Sequence, residues 1–87
     1  MIKIRSLAWD DWNRNHIKRH KVSEEEVEQV CQGIYKQQPT YANRQLIFGR
    51  TDKRRLLTII LAREKPGVYY VVTARNMSKK ERRRFVK

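Results

Sequence analysis

Residues 54–75, RRLLTIILAREKPGVYYVVTAR, contain two apolar runs separated by a Pro-Gly pair. The first run is apolar at nearly every position, which is typical of a β-strand that is covered on both faces. Pro66 and Gly67 suit a type II turn, because proline fixes φ at the first central position and glycine accepts the positive φ at the second. The stretch therefore predicts an antiparallel hairpin, with strands over residues 54–63 and 68–75 and the first of them central in the sheet.

Side chains alternate between the two faces of a β-strand. In the second strand of the hairpin, alternation places on one face Tyr69, Val71, Thr73 and Arg75. In the first strand it places on one face Leu57, Ile59, Leu61 and Arg63. If the sheet has an open face, we expect Arg75 to point towards it, near the helix that begins at Ser78. The N–H groups at a helix start favour an anion, so an arginine beside them suits a phosphate.

The rest of the chain predicts a strand, two helices, a further strand and a short final helix. These are a strand over residues 2–9, a helix capped by Asp10 and running to about His20, a helix from Ser23 to Gly33, a strand over residues 44–50 and a helix from Ser78. Residues 37–43 are interpreted as a polar connection. The expected fold class is α+β, with a small antiparallel sheet, two N-terminal helices packed on one face and a short C-terminal helix.

Two motifs of the form Ser-x-x-Glu, at Ser23 and Ser78, mark helix starts as capping boxes, and Val22 and Val27 flank the first as a hydrophobic staple. Helical spacing places on one face of the second helix Val27, Val30, Cys31 and Ile34. On the first helix the same spacing gives two adjacent stripes. One contains Trp9, Asn13 and Ile17, and the other contains Trp12, His16 and His20. Either tryptophan could stack on a nucleobase. In a core this small at least one of the two must be buried, and we expect that one to be Trp9.

The charge of the chain is its most informative global property. There are 21 Lys and Arg against 9 Asp and Glu, which gives a net charge of +12. A compact body of that charge attracts polyanions, and nucleic acid is the first candidate. A membrane surface is discounted, because no basic helix has a wide apolar face. At 87 residues the chain is expected to form one domain over residues 1–87.

A single cysteine, Cys31, excludes an intramolecular disulfide and a cysteine-rich metal site. The first residues lack the apolar run of a signal peptide, and no window approaches the length of a membrane span. We therefore expect a soluble, cytoplasmic protein that needs no cofactor.

His16 and His20 lie four residues apart, a spacing that lets two imidazoles share a metal ion on one helix. No third ligand is in register, so no metal site is expected. His20 alone is a candidate for proton transfer near a phosphodiester, since histidine exchanges protons near neutral pH. The alternative is that it only complements a helix dipole. Glu64 and Glu81 are the acidic residues nearest the basic strand ends, and both are expected to act structurally.

The chain closes on thirteen residues, Arg75–Lys87, with seven Lys or Arg and one Glu. This basic edge follows directly on the apolar last strand. It is either a surface that binds a polyanion or a solvated helix face, and composition alone does not separate the two.

Three longer stretches combine these motifs. They are LAWDDWNRNHIKRHKVSEEEVEQV (7–30), FGRTDKRRLLTIIL (48–61) and YYVVTARNMSKKERRRF (69–85). Together they resemble the BrnT family of bacterial type II toxins: its Trp-Asp opening, its histidine at the end of the first helix, its Val-Ser-x-Glu-Glu helix start, its Gly-Arg hairpin and its Ala-Arg strand end. Lys21 stands where that family usually has glycine, and residues 62–64 read Ala-Arg-Glu where it often has Thr-Glu-Arg.

The resemblance implies a RelE-like fold, a ribonuclease activity that halts translation, and neutralisation by a BrnA-type antitoxin through which alone the protein meets DNA. In RNA cleavage without a metal, the substrate's own 2′-OH attacks the adjacent phosphate, and the protein aligns it, stabilises charge and moves protons. On this interpretation Arg75 and Arg63 stabilise charge and His20 transfers a proton. The residues expected to position RNA are Lys79, Lys80, Arg82 and Arg83.

Two other functions stay open at this point. Charge and aromatic residues do not separate a nuclease from a non-catalytic module that binds RNA or DNA. The third candidate is a scaffold or regulator whose basic face contacts an acidic protein.

Overall fold

The computed structural model of the protein describes residues 3–85 of the 87-residue chain. Within that range the elements are β1 Ser6–Ala8, α1 Asp11–Lys18, α2 Glu24–Gln32, β2 Tyr35–Thr40, β3 Arg44–Arg50, β4 Leu56–Lys65, β5 Val68–Asn76 and α3 Lys79–Phe85. The predicted first strand included residue 2 and the predicted basic edge included residues 86–87, and these end residues lie outside the described range.

The predicted hairpin lies at the centre of the sheet, whose strand order is β1-β5-β4-β3-β2. β4 is the middle strand and pairs antiparallel with both β3 and β5. In the turn between β4 and β5, Gly67 has a φ of 82°, the value that the second central position of a type II turn requires. The α+β class and the central position of β4 are confirmed.

One pair of strands is parallel, so the sheet is mixed rather than antiparallel throughout. β1 runs in the same direction as β5, with Leu7 opposite Tyr69. The backbone N–H groups of Arg5 and Ser6 donate to the Gly67 carbonyl at 2.8 and 3.1 Å, which attaches the start of β1 to the central turn. A parallel pair needs a long crossover, and here the chain from α1 to β4 supplies it.

Residues 37–43, predicted to be a polar connection, lie largely in an edge strand. β2 pairs with β3 from Tyr35 opposite Gly49 to Thr40 opposite Arg44. Its sequence, YKQQPT, is polar and contains a proline, which a sheet accepts at an edge strand. The prediction was wrong because an edge strand that is largely in solvent does not need apolar alternation.

The predicted apolar face of α2 is one residue too long. Val27, Val30 and Cys31 are buried as expected, but Ile34 is 95% exposed. Gly33 follows the helix in an extended conformation, with φ of −98° and ψ of −152°. The chain therefore leaves the helix before Ile34 can complete the stripe.

A β-bulge interrupts the pairing of β4 with β5. Ile60 pairs with Thr73, but the next residue of β4, Leu61, pairs with Val71. β5 therefore has one extra residue, Val72, at this point, and its alternation between faces reverses there.

The bulge places Arg75 on the face of the sheet opposite to Val71. Val71 and Ala74 are both buried in the core on the side of α1 and α2, whereas Arg75 lies across from Thr58. The prediction that Arg75 shares a face with Tyr69 and Val71 was wrong, because period-two alternation does not continue through a bulge.

The hydrophobic core lies between the sheet and the two N-terminal helices. Its buried members are Ile17, Val22, Val27, Val30, Cys31, Ile47, Leu57, Ile59, Leu61, Tyr69, Val71 and Ala74. They include both residues of the predicted hydrophobic staple. Burial, with Glu28 nearby, raises the pKa of the Cys31 thiol to about 12, so this cysteine is a protonated core side chain.

The two tryptophans have different environments, as predicted. Trp9 packs against the core, and its Nε1–H donates to Glu28 at 3.0 Å. Trp12 lies on the outer side of α1 and is 58% exposed. The inner side of α1 is formed by Ile17 and by Asn13, which is buried in a capping box with Asp10.

No helix within residues 3–85 is long and apolar enough to cross a membrane.

Gly49 in β3 lies where α2 comes closest to the sheet. A β-carbon at this position would lie 2.5 Å from Cγ1 of Val30. That distance is far below the separation of ordinary carbon contacts, about 3.5–4.0 Å. The absence of a side chain at Gly49 therefore sets the spacing between α2 and β3.

Gly49→Ala is expected to lower the free energy of unfolding by about 1–3 kcal/mol, because the added methyl group overpacks a filled core. Urea denaturation of the purified variant measures this loss. Val30→Ala removes the methyl group that the new side chain would meet, so the double variant should lose less stability than the two single variants combined. Losses that simply add would contradict the proposed contact.

Candidate nucleic-acid interface

Arg75, near the end of β5, forms a two-pronged ion pair with Glu81 of α3. Its Nη1 donates to Oε1 of Glu81 at 2.8 Å, and its Nη2 donates to Oε2 at 3.0 Å. Paired N–H···O bonds of this kind are the strong form of an arginine–carboxylate contact. The pair attaches α3 to the face of the sheet that α1 and α2 leave open.

Glu81 is the centre of a polar network that joins β4, β5 and α3. It also accepts hydrogen bonds from the Thr58 hydroxyl and from the Ser78 backbone N–H, each at 2.8 Å. The Arg75 hydrogen bond, assisted by these two donors and opposed by burial, lowers the pKa of Glu81 to about 2. Ser78 completes the predicted capping box by accepting from the Glu81 N–H at 3.2 Å. Glu81 is therefore an ionised capping residue, as expected.

Some N–H groups of the Arg75 guanidinium have no partner among residues 3–85, although Arg75 is paired with Glu81. A guanidinium carries five N–H groups, and the contacts of Arg75 to Glu81 and to the Asn76 carbonyl use at most three of them. The N–H on Nε is among those without a partner in residues 3–85. Because the side chain is also 37% exposed, Arg75 can hold Glu81 and an anion from solvent at the same time.

A groove of about 380 Å³ separates α3 from the sheet beside this pair. Its walls combine apolar and cationic side chains, among them Leu46, Phe48, Phe85, Lys36, Lys80 and Arg84. The charged groups of Lys36 and Arg50 lie 5.6 and 5.8 Å from the centre of the Phe85 ring, within the range of a cation–π contact. These contacts tie the end of α3 to β2 and β3.

α3 presents its charges to solvent. No described residue of this helix is buried, and the four cations predicted to position RNA, Lys79, Lys80, Arg82 and Arg83, are all exposed. They lie together on a helix whose start is bonded to Arg75 through Glu81. Their contact with RNA stays a prediction.

His20 lies in the turn after α1, on a segment that is tied to the end of β5. Arg55 donates to the carbonyls of His20 and Lys21 at 3.3 and 2.7 Å. The same guanidinium donates to Oδ1 of Asn76 at 2.9 Å. The histidine turn is thereby held next to the residue that follows Arg75.

Arg55 links segments that are distant in the chain, and the sequence did not reveal this because Arg55 lies in a run of basic residues. It also forms an ion pair with Glu26 at 3.0 Å. Burial would raise the pKa of Glu26, but the Ser23 N–H and Arg55 together lower it. Lys21, one of the residues that Arg55 holds, has a φ of 58°, in the left-handed region where the BrnT family usually has glycine.

Arg63 lies towards the opposite end of β4 from Arg75. It pairs with Tyr69, whereas Arg75 pairs with Thr58. The strand from Thr58 to Arg63 spans about 17 Å at roughly 3.4 Å per residue, and alternation turns Arg63 towards the other face. The structure therefore does not bring together the two arginines that were expected to act on one phosphate. Glu64, beside Arg63, is exposed and equally remote.

The imidazoles of His16 and His20 lie edge to face, with ring centres 5.7 Å apart. Among the described residues, no three His, Cys, Asp or Glu side chains are grouped so as to hold a metal ion.

A five-stranded mixed sheet with two helices over one face and a short helix on the other defines a small α+β fold of the BrnT type. A solved structure with this fold is the ribonuclease toxin BrnT of Brucella abortus, to which the chain is similar with a TM-score of 0.64 and 21% sequence identity, over 91% of this chain and 100% of that chain. No family model and no curated protein sequence match the chain. The BrnT-like fold implied by the sequence motifs is confirmed.

Glu81→Gln is expected to lower stability near neutral pH and to lose this effect in acid. The Arg75 contact lowers the pKa of Glu81 from an ordinary value of 4.5 to about 2 in the folded protein. The ionised carboxylate therefore stabilises the fold above pH 4.5, and this stabilisation is lost as the pH falls towards 2. At about 1.4 kcal/mol per pH unit the shift corresponds to about 3 kcal/mol, which is an upper figure because solvent screens the partly exposed Arg75.

Urea unfolding of the wild type and the variant across this pH range measures the difference between them. Glu25→Gln, an exposed change at the start of α2, is the matched control and should alter stability by less than about 0.5 kcal/mol at each pH. A Glu81→Gln difference that persists unchanged in acid would contradict the role of the ion pair.

Proposed function

We propose that this protein is the toxin of a type II toxin–antitoxin pair and cleaves RNA internally, without a metal cofactor, so as to inhibit translation. The observation that carries this proposal is the fold shared with a protein described as a ribonuclease toxin, along nearly all of both chains. The net charge of +12 supports it, because a nuclease of this size must attract and hold a polyanion.

The proposed chemistry begins with the substrate's own 2′-OH, which attacks the neighbouring phosphate and releases the 5′-oxygen of the next nucleotide. The pentacoordinate phosphate that forms has more negative charge than the substrate. Donors already placed around such a centre lower the barrier most. The unused N–H groups of Arg75 are assigned to this charge, and Glu81 is assigned to hold the guanidinium in position.

His20 is assigned to proton transfer. A catalytic imidazole must be placed accurately, and the contacts of Arg55 to the His20 turn and to Asn76 favour such a role. Arg63 is too distant from Arg75 to contact the same phosphate, so the proposal gives it no part in charge stabilisation. The cations of α3, Lys79, Lys80, Arg82 and Arg83, are assigned to the RNA backbone.

The partner expected for such a toxin is a BrnA-type antitoxin. It would contact DNA itself and bring the toxin to DNA only indirectly. Both proteins would act in the cytoplasm. Induction of this chain alone is expected to stop growth, and co-expression of the neighbouring reading frame is expected to restore it.

A second candidate function is a non-catalytic module that binds RNA. The observation that favours it is the Glu81 carboxylate, which already occupies two N–H groups of Arg75 and neutralises part of its charge. A carboxylate in this position weakens the attraction of Arg75 for a phosphate.

The two candidates differ in what they do to labelled single-stranded RNA in the presence of EDTA. The nuclease is expected to give fragments that accumulate with time and end in a 2′,3′-cyclic phosphate. The binding module would retard the RNA in a native gel and leave it intact. Little affinity for RNA at moderate salt would instead favour a regulator that contacts an acidic protein.

Arg75→Lys is expected to reduce single-turnover cleavage by a factor on the order of 10²–10³ while RNA affinity changes little, because lysine keeps the charge but loses the forked geometry. Arg5→Lys is the matched control. It exchanges the same groups at an exposed residue beside the distant β4–β5 turn and should cleave RNA like the wild type.

Both variants must first be shown to be folded, since Arg75 also anchors α3. Arg63→Lys then compares the two arginines directly. If Arg63→Lys loses cleavage and Arg75→Lys does not, the charge-stabilising role belongs to the other end of β4 and the assignment to Arg75 is wrong.

A further inference from the structure

Three ring side chains follow one another along the outer side of α1: Trp12, His16 and, just beyond the helix, His20. The rings of Trp12 and His16 are stacked, with centres 4.8 Å apart and planes only 8° from parallel. His20 continues the row edge-on, 5.7 Å from His16. We call this row the ring ladder.

The ring ladder does not contribute to the core. The buried residues of α1 are Asn13 and Ile17, on the other side of the helix. Trp12, the largest ring of the ladder, is 58% exposed, whereas Trp9 packs against the core. A large indole left in solvent, with its plane fixed by a stacked imidazole, is a preformed surface for another flat aromatic group.

The surroundings of the ladder indicate which aromatic ligand it fits. Around His20, at the end of the ladder, the side chains of Lys18, Arg19 and Lys21 are exposed cations. Aromatic faces next to a positively charged track are the combination by which proteins bind single-stranded nucleic acid, with bases on the rings and phosphates on the cations.

The ladder also leads to the candidate site. Arg55 bonds the carbonyls of His20 and Lys21 at one end and Asn76, beside Arg75, at the other. The His20 end of the ladder is therefore linked to the end of β5, and RNA that leaves the ladder there must pass around the end of the sheet to reach Arg75 on the face away from α1.

We propose that the ring ladder is a base-stacking subsite for single-stranded RNA, in which a base stacks on Trp12 and the backbone passes His20 towards Arg75. The choice of RNA as the ligand rests on the proposed function. The stacking role is separate from cleavage, so binding and cleavage test the two proposals independently.

The test uses a short fluorescent oligoadenylate that is 2′-O-methylated, so that it cannot be cut by 2′-OH attack, and the same oligonucleotide with abasic sugars in place of bases. Trp12→Ala is expected to bind the oligoadenylate ~5- to 140-fold more weakly, which corresponds to the removal of one base–aromatic stack. Trp12→Phe should retain most of the affinity. Tyr41→Ala removes an aromatic that is 79% exposed in the β2–β3 turn and should change nothing.

Two further readouts separate stacking from charge. The abasic oligonucleotide should bind the wild type and Trp12→Ala equally, because it offers no base to stack. The salt dependence of oligoadenylate binding should have the same slope in both proteins, since no phosphate contact is lost, whereas Arg82→Ala should make it shallower by about 0.7.

Equal oligoadenylate affinity of wild type and Trp12→Ala would overturn the subsite, as would an equal loss for the abasic oligonucleotide. If the wild type cuts unmodified RNA and Trp12→Ala binds the oligoadenylate normally, the subsite is wrong and the proposed function stands. If Trp12→Ala loses affinity but the wild type never cuts RNA, the subsite stands and the proposed nuclease activity is wrong. If Trp12→Ala weakened only the complex with an acidic protein partner, the ladder would be a protein interface and the proposal would be wrong.

Discussion

The ion pair between Arg75 and Glu81 is the interaction on which the open side of this protein depends. No described residue of α3 is buried, so apolar packing contributes less to its position than to that of α2. Its start is instead held by a carboxylate that accepts from Arg75, Thr58 and the helix's own first turn. Glu81 therefore holds the start of α3 and orients the Arg75 guanidinium, while the contacts of Phe85 with Lys36 and Arg50 hold the other end of the helix.

Several other acidic residues also bond to donors within the protein. Of the 9 Asp and Glu in the chain, several bond to the protein itself: Glu24 to Arg14, Glu26 to Arg55, Glu28 to Trp9 and Glu81 to Arg75. These four carboxylates face the protein's own donors, while many Lys and Arg side chains face solvent. The surface that a polyanion meets is correspondingly more uniform in sign than the composition alone suggests. Isolated surface ion pairs add little stability, so the effect of this arrangement is mainly on the outward field.

The sequence predicted the features that short-range rules control. The Pro66-Gly67 turn, the capping serines and the buried stripe of Val27, Val30 and Cys31 depend on residues a few positions apart, and the structure contains all of them. The edge strand β2 was missed because only its pairing with β3 makes it a strand. The exposure of Ile34 follows from a helix end that the apolar stripe concealed. In the candidate site, Arg75 and Glu81 could be recognised at a strand end and in a capping box, but their ion pair, the tether through Arg55 and the remoteness of Arg63 depend on tertiary packing.

Because of the bulge at Val72, the number of residues in β5 determines which side chains reach the face of the sheet that carries α3. Substitutions do not test this dependence. Beyond the bulge, each side chain of β5 faces the side it does because one residue has been inserted relative to β4. Deleting a single residue there would leave every functional side chain in the protein, yet it would turn Arg75 into the core and Ala74 out towards α3. A search for inactive variants that is limited to substitutions would identify Arg75 and Glu81. It would miss the extra residue in β5 that directs the Arg75 side chain towards Glu81. The number of residues between the Pro-Gly turn and Arg75 is thus a property of the site in its own right, separate from the identity of those residues.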